Sequence, residues 1–138
     1  MTVLVLDIGS SSVRALLFDE QAKPLAQVAR RHQFTTEPPG AAAFDASALR
    51  ERVEGCIDEI LRQPEAVNIR AVAVDTFVGN VLGVDRAGQA LTPVYLYADT
   101  RSADDVAALA PQLDLDAAHQ RTGCIHHTAY LPGRLHWL

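Results

Sequence analysis

The first apolar run of the chain, Thr2 to Asp7, is nearly continuous and ends at a glycine-rich turn, Gly9-Ser10-Ser11-Ser12. A short run without alternation, stopped by a turn, predicts a strand buried on both faces. Val13 to Phe18 is a second apolar and β-branched run, and Asp19 to Pro24 is a polar turn before a third, Leu25 to Phe34. Together the three predict a β-meander. Thr35 to Ala43, with Pro38-Pro39-Gly40, reads as a loop. Beyond it, Asp45 or Ser47 is placed to cap a helix whose apolar residues Leu49, Val53, Cys56, Ile57, Ile60 and Leu61 recur at helical spacing and share one face. Ile69 to Val74 is again a run of the buried-strand kind, ending at Asp75. Because a helix precedes it, it is expected to lie parallel to the first strand.

In the second half, Val81 to Val84 and Pro93 to Tyr97 predict a hairpin joined by the turn Asp85-Arg86-Ala87-Gly88. Ser102 is placed to cap a helix through Ala110, with Asp104 and Asp105 near its positive end, and Pro111 marks its break. A shorter helix is expected from Asp116 to Arg121. Leu131 to Leu138 begins with Pro132-Gly133 and ends on Trp137-Leu138 without a polar cap, so the chain is expected to stop inside an element. No repeat, low-complexity tract or charge block interrupts it.

Composition narrows the functional classes. At 138 residues, 49% hydrophobic and 21% charged, the chain has the make-up of one globular domain with a core. Its 12 Lys and Arg against 17 Asp and Glu leave a net charge of −5. A surface that neutralises nucleic-acid phosphates carries clustered positive charge, so nucleic acid is not an expected partner. Cys56 and Cys124 stand in no metal-ligand spacing and are too few to staple a domain, which points to a reducing cytoplasm. Asp7 interrupts the only early apolar stretch, so neither an export signal nor a membrane span is expected. The pattern leaves open whether the protein forms a homo-oligomer.

The candidate chemistry lies in Asp7-Ile8-Gly9-Ser10-Ser11-Ser12. A carboxylate ends a strand, and a glycine with three hydroxyl residues can turn several backbone N–H groups toward one concavity. Glycine lets the backbone approach closely, hydroxyls donate to phosphate oxygens, and the carboxylate can hold Mg2+ through water, since that ion keeps much of its hydration shell. Arg14 adds a cation two residues on. The loop lacks the Gly-Lys-Ser/Thr ending of a Walker A site, and it leads into a strand where a dinucleotide fingerprint would lead into a helix. On local grounds alone the same residues also describe a plain hairpin turn.

The wider chain supplies a resemblance. Residues 3–19, VLVLDIGSSSVRALLFD, resemble the first phosphate motif of the actin, Hsp70 and sugar kinase superfamily, with the FGGY carbohydrate kinases as the nearest branch. VLGVDRAGQALTPVYLYADTRS resembles the FGGY hairpin that leads into an aromatic-x-Asp-x-Arg sequence, with Tyr97, Asp99 and Arg101 in those places. RTGCIHHTAYLPGRLHWL resembles the family's Thr-Gly to Lys-Leu-x-Trp segment, with Arg134 where lysine is usual. HQFTTEPPGAAAFDASAL, and AVAVDTF followed by LGVD, look most like the gluconate kinases.

The resemblance implies an α/β fold of the ribonuclease H-like, actin-like ATPase type: a mixed sheet led by a three-stranded β-meander and flanked by helices. Residues 1–138 would be the N-terminal part of domain one, with the C-terminal domain absent. It implies a full-length carbohydrate kinase that uses ATP and Mg2+ to phosphorylate a small sugar acid, sugar or polyol, gluconate favoured. It further implies that Asp7 organises Mg2+, that Gly9, Ser10, Ser11, Ser12 and Arg14 face the nucleotide phosphates, and that Val78, Gly79 and Tyr97 lie against the sugar. At Val78-Gly79 relatives carry polar or aromatic side chains, so the match does not define the acceptor. The catalytic aspartate, the second phosphate motif and the adenine pocket fall beyond the position of Leu138. No catalytic residue is therefore assigned here, and the chain alone is expected to be inactive.

Two other readings compete. Asp7 and Asp75 each end a strand and, on neighbouring strands, would converge on a metal as in RNase H-like nucleases; that reading requires a third acidic ligand and a basic groove. A non-catalytic scaffold module would keep the fold without needing Asp7 and three consecutive hydroxyls. His119, His126, His127 and His136 have no zinc-type spacing and read as surface or loop residues. Asp99 and Arg101 read as a structural ion pair, Cys56 as a small core residue, and Asp114 and Asp116 as solvated loop acids.

Overall fold

The two apolar runs flanking the glycine-rich turn form β1 (Thr2–Ile8) and β2 (Ser12–Phe18), which pair antiparallel with Asp7 opposite Arg14, in a computed structural model that describes residues 1–138. β3 (Pro24–Arg31) completes the meander by pairing antiparallel with β2, Ser12 opposite Arg31. The chain divides into two compact units, Met1–Phe34 with Asp45–Phe77, and Thr35–Phe44 with Val78–Leu138.

In the first unit, α1 (Ala46–Ile60) starts where Asp45 Oδ1 accepts the N–H of Ala48 at 2.7 Å, which satisfies one of the donors a helix start leaves free. Its apolar face packs on β2 and β3. Cys56 and Ile60 are buried with Leu4, Leu6, Val13, Ala15, Leu17 and Val28, and Leu49, Val53 and Ile57 close over them. Leu61, the sixth apolar position, lies past the last helical residue and is 50% exposed. Burial also pushes the Cys56 thiol up, in keeping with a core residue and not a nucleophile.

β5 (Ile69–Thr76) pairs parallel with β1, giving the mixed sheet order β3-β2-β1-β5 and placing Asp75 beside Asp7. Its expected burial is corrected: Val72 and Val74 are 59% and 63% exposed. An edge strand has one neighbour only, and α1 covers the other side of the sheet's width, over β2 and β3. β1 likewise is buried on one face, where Leu4 and Leu6 point, with Val3 and Val5 half-buried on the other.

In the second unit the expected hairpin forms irregularly: Val81 and Tyr95 exchange backbone hydrogen bonds at 3.1 and 2.9 Å, Leu91 N–H donates to the Gly83 carbonyl at 2.8 Å, and a further strand pairs on the other side of Tyr95. β4 (Ala43–Phe44) pairs antiparallel with β6 (Val94–Tyr95), while Val81 meets Tyr95 and Val84 meets Ala90 only as isolated bridges. Pro93 has no N–H to extend a ladder past that point. The turn itself forms, with Asp85 Oδ1 accepting from the N–H groups of Ala87 and Gln89 at 2.8 Å. α2 (Ala103–Leu109) ends in a 3-10 turn, Ala110–Gln112, at Pro111; α3 (Leu115–Thr122) and α4 (Leu131–Trp137) follow, and α4 packs on α2. Ser102 precedes α2 but does not cap it: its hydroxyl donates to the carbonyl of Thr128 at 3.1 Å. Asp114 is not a solvated loop acid, since its carboxylate caps α3 through the N–H of Ala117.

A buried polar knot holds this unit. Asp99, fully buried, accepts from the Arg101 guanidinium at 2.6 Å and from the N–H of Ala42 at 3.0 Å. Arg101 in turn lies 4.9 Å over the Trp137 ring and 5.4 Å over that of Tyr95. Arg134, 1% exposed, donates to the carbonyls of Leu96, Asp99 and Thr128 at 3.0–3.2 Å. Asp99 and Arg101 are thus structural, as read from the sequence. No helix is long and apolar enough to cross a membrane.

Candidate phosphate and substrate sites

The register of β1 and β2 brings the loop residues together. Gly9 N–H donates to the Ser12 carbonyl at 2.9 Å and closes the turn, and a Cβ built on Gly9 would stand 3.2 Å from that carbonyl, closer than a side chain sits comfortably. Ser10 and Ser11 are exposed at the tip, and Ser12 is buried at its base. His32, just past β3, clamps the loop twice: its Nε2 donates to the Gly9 carbonyl at 2.8 Å and its N–H donates to the Ser11 carbonyl at 3.1 Å. His32 begins the HQFTTEPPGAAAFDASAL stretch, but nothing in that stretch gives it a role at the loop. Its role follows from the β2–β3 register, which sets Arg31 opposite Ser12 and carries the next residue onto the turn.

Asp7 Oδ2 accepts from Arg14 Nη1 at 3.2 Å, and both side chains remain partly exposed. Asp75 lies at the same height on the adjacent strand. Two neighbouring carboxylates at a strand end suit a hydrated Mg2+, which is commonly held by one or two carboxylates and completed by phosphate oxygens. No group of three His, Cys, Asp or Glu residues is arranged to hold a metal by itself. Asp7 and Asp75 sit side by side, the one feature of the nuclease reading that the strand register supplies.

Beside the loop opens a cavity of about 810 Å3, lined by Ser11, Ser12, Arg14, Arg31, Gln33 and Arg52, together with His32. Three arginines share one hollow in a chain whose net charge is −5. Composition averages over the surface and hides such a concentration. The sequence reading reached Ser11, Ser12 and Arg14 but not Arg31, Gln33 or Arg52, because only the sheet and α1 bring these near the loop.

Val78, Gly79 and Tyr97 belong to the second unit. Gly79 has φ +69°, and a Cβ there would fall 2.7 Å from Tyr97 Cδ2, so the tyrosine ring occupies the space a side chain would need. Val78 is 75% exposed, while Tyr97 stacks on His127 with ring centroids 5.4 Å apart. His127 Nδ1 accepts the N–H of Ala129 at 3.1 Å, which leaves Nε2 as the hydrogen-bearing nitrogen of the neutral ring. Tyr130 meets His127 edge-on at 5.9 Å. His119 and His126 bond to the carbonyls of Cys124 and Val106, and His136 to Asp105, so the four histidines do not converge.

A model of the FGGY family of carbohydrate kinases, N-terminal domain, matches residues 2–138. Apulose kinase of Pectobacterium atrosepticum is 27% identical over 135 residues, covering 97% of the chain and 27% of that relative. Xylulose kinase from Rhodospirillum rubrum superposes with a TM-score of 0.93 at 24% identity, covering 99% of this chain and 28% of that one. Gluconate kinase from Lactobacillus acidophilus superposes with a TM-score of 0.86 at 19% identity over the same shares. The solved structures show the fold, an α/β arrangement with a mixed sheet. The chain spans little more than a quarter of the length of these proteins.

Proposed function

Since the chain belongs to the FGGY family of carbohydrate kinases, we propose that it is the first part of domain one of an enzyme that transfers the γ-phosphoryl group of ATP to a hydroxyl of a small sugar acid, sugar or polyol. The observation that carries this reading is the Gly9–Ser12 hairpin turn, with Asp7 at the end of β1 and His32 clamped on its carbonyls. Phosphoryl transfer depends on positioning and on balancing charge across the transferred group. A turn braced from β3 offers its exposed hydroxyls and N–H groups without having to reorganise when the anion arrives. Asp7 would hold Mg2+, with Asp75 beside it, and the ion would supply charge neutralisation on the phosphates. Arg14, now paired with Asp7, would exchange part of that pairing for a phosphate oxygen.

Val78, Gly79 and Tyr97 form the proposed sugar wall. With no side chain at Gly79, contact falls to the Tyr97 ring and to the polar edge of its stacking partner His127. An aromatic face with a neighbouring N–H donor suits a polyhydroxylated ligand. Gluconate is the acceptor we put first, on the likeness of residues 32–49 and 71–77 to gluconate kinases; xylulose, apulose and glycerol are the comparison substrates.

The test is an assay of the protein that carries this chain, with ATP, Mg2+ and each acceptor in turn. Turnover of gluconate above the others is expected, and Asp7→Asn is expected to lower kcat by about 10²–10³-fold. Absence of ATP-dependent phosphorylation of every acceptor would overturn the kinase reading; turnover of another acceptor would overturn gluconate alone.

A further inference from the structure

We infer that Arg31 and Arg52 are further ligands of the polyphosphate held at the Gly9–Ser12 turn, so that the loop and the arginine-lined cavity of the first unit are one anion site. This rests on the phosphate-loop reading above and adds to it the source of positive charge. Polyphosphate sites commonly draw that charge from a lysine, but Lys23 is the single lysine of the chain. It sits in the β2–β3 turn, at the opposite end of the hairpin from Gly9. Cationic charge near the loop is therefore arginine.

The arginines of the first unit are not equivalent. Arg14 is paired with Asp7 at 3.2 Å, Arg30 with Glu59 at 3.1 Å and Arg50 with Glu54 at 2.7 Å. Arg31 and Arg52 form no ion pair with a carboxylate, and these two line the cavity with Ser11 and Ser12. Arg52 spends one donor on the Ala48 carbonyl, at 3.2 Å, and keeps the rest of its guanidinium fork. Glu51, which lines a smaller neighbouring hollow with Arg52, makes no ion pair with it. Two uncompensated guanidinium groups facing one concavity repel each other, and an anion relieves that repulsion while filling their planar forks. A cavity of about 810 Å3 has room for a ligand of nucleotide size. Arg31 reaches it by register, opposite Ser12, and Arg52 by the packing of α1 on β2 and β3.

Isothermal titration of the full chain with inorganic tripolyphosphate, then with ADP, tests the assignment. Arg31→Gln and Arg52→Gln are each expected to weaken both ligands by about 3- to 10-fold, more strongly at low salt than at high. Arg31→Lys and Arg52→Lys should recover part of the loss, and Arg50→Gln, a charge removed outside the cavity, should leave binding unchanged. Melting curves of every variant check that folding is retained, Arg31 being exposed and Arg52 half-buried. Wild-type affinity in Arg31→Gln and Arg52→Gln, with Ser10→Ala weakened, would overturn this inference and leave the loop reading standing. Weakened tripolyphosphate binding with unaltered ADP binding would also overturn it, because the cavity would then be a separate anion site. No binding of either ligand by the wild-type chain would overturn both.

Discussion

Arg134 shows how one side chain closes the accounts of a whole segment. Its guanidinium reaches the carbonyls of Leu96, Asp99 and Thr128, tying together loop acceptors of which Leu96 also accepts from the N–H of Asp99 and Thr128 from the Ser102 hydroxyl. Burial lowers its affinity for the proton, and the nearby Asp99 carboxylate works the other way. Arg134→Lys retains the charge but replaces a planar fork by a point donor, so a loss of about 1–2 kcal/mol is expected in urea unfolding. Gly79 is decisive for a different reason. Its φ of +69° and the Tyr97 ring 2.7 Å from any Cβ both reject a side chain. Gly79→Ala is expected to cost about 1–2 kcal/mol for the backbone alone and to displace the Tyr97 ring from its stack on His127, visible in the aromatic NMR shifts.

Among the elements, α1 was legible because amphipathic periodicity and a capping acid are both local signals. Removing the cap by Asp45→Ala is expected to cost about 1 kcal/mol, measured by the same unfolding experiment. β5 was legible as a strand and as parallel to β1, yet not as exposed. A continuous apolar run carries no mark of whether a second layer lies over it. Val74→Thr should therefore change stability by less than about 0.5 kcal/mol, whereas Leu6→Ala, inside the core, should cost about 2–5 kcal/mol. The hairpin expected across Val81–Val84 and Pro93–Tyr97 forms only as bridges, and its second arm gains Ala43–Phe44, a partner some fifty positions away that no local pattern names.

For the molecule as a whole, stability is expected to depend on pH through Asp99. Burial by itself would raise its carboxyl, but hydrogen bonds from the Arg101 side chain and from the N–H groups of Ala42 and Arg101 outweigh it and hold the group below the usual carboxylate range. A carboxyl depressed in the folded state binds its proton more readily when unfolded. Its contribution is thus complete above about pH 4 and is lost as pH falls through the depressed value. Asp99→Asn should be less stable at neutral pH by about 2–4 kcal/mol, and its melting temperature should fall less steeply than that of the wild type below pH 4.

The sequence by itself determined the meander, the capped helix, the parallel strand and the Asp7 to Arg14 motif, since each is written in residues close along the chain. Periodicity, caps and turn residues act over a few positions, and that is the range over which a sequence can be read directly. Only the tertiary structure decided that His32 clamps the loop, that Arg31 and Arg52 share a cavity with Ser11 and Ser12, that Tyr97 lies on Gly79, and that β5 is an exposed edge. Each of these depends on register or layer packing between segments distant in the chain. Registers are set by the summed burial and hydrogen bonding of whole elements, which no single residue carries.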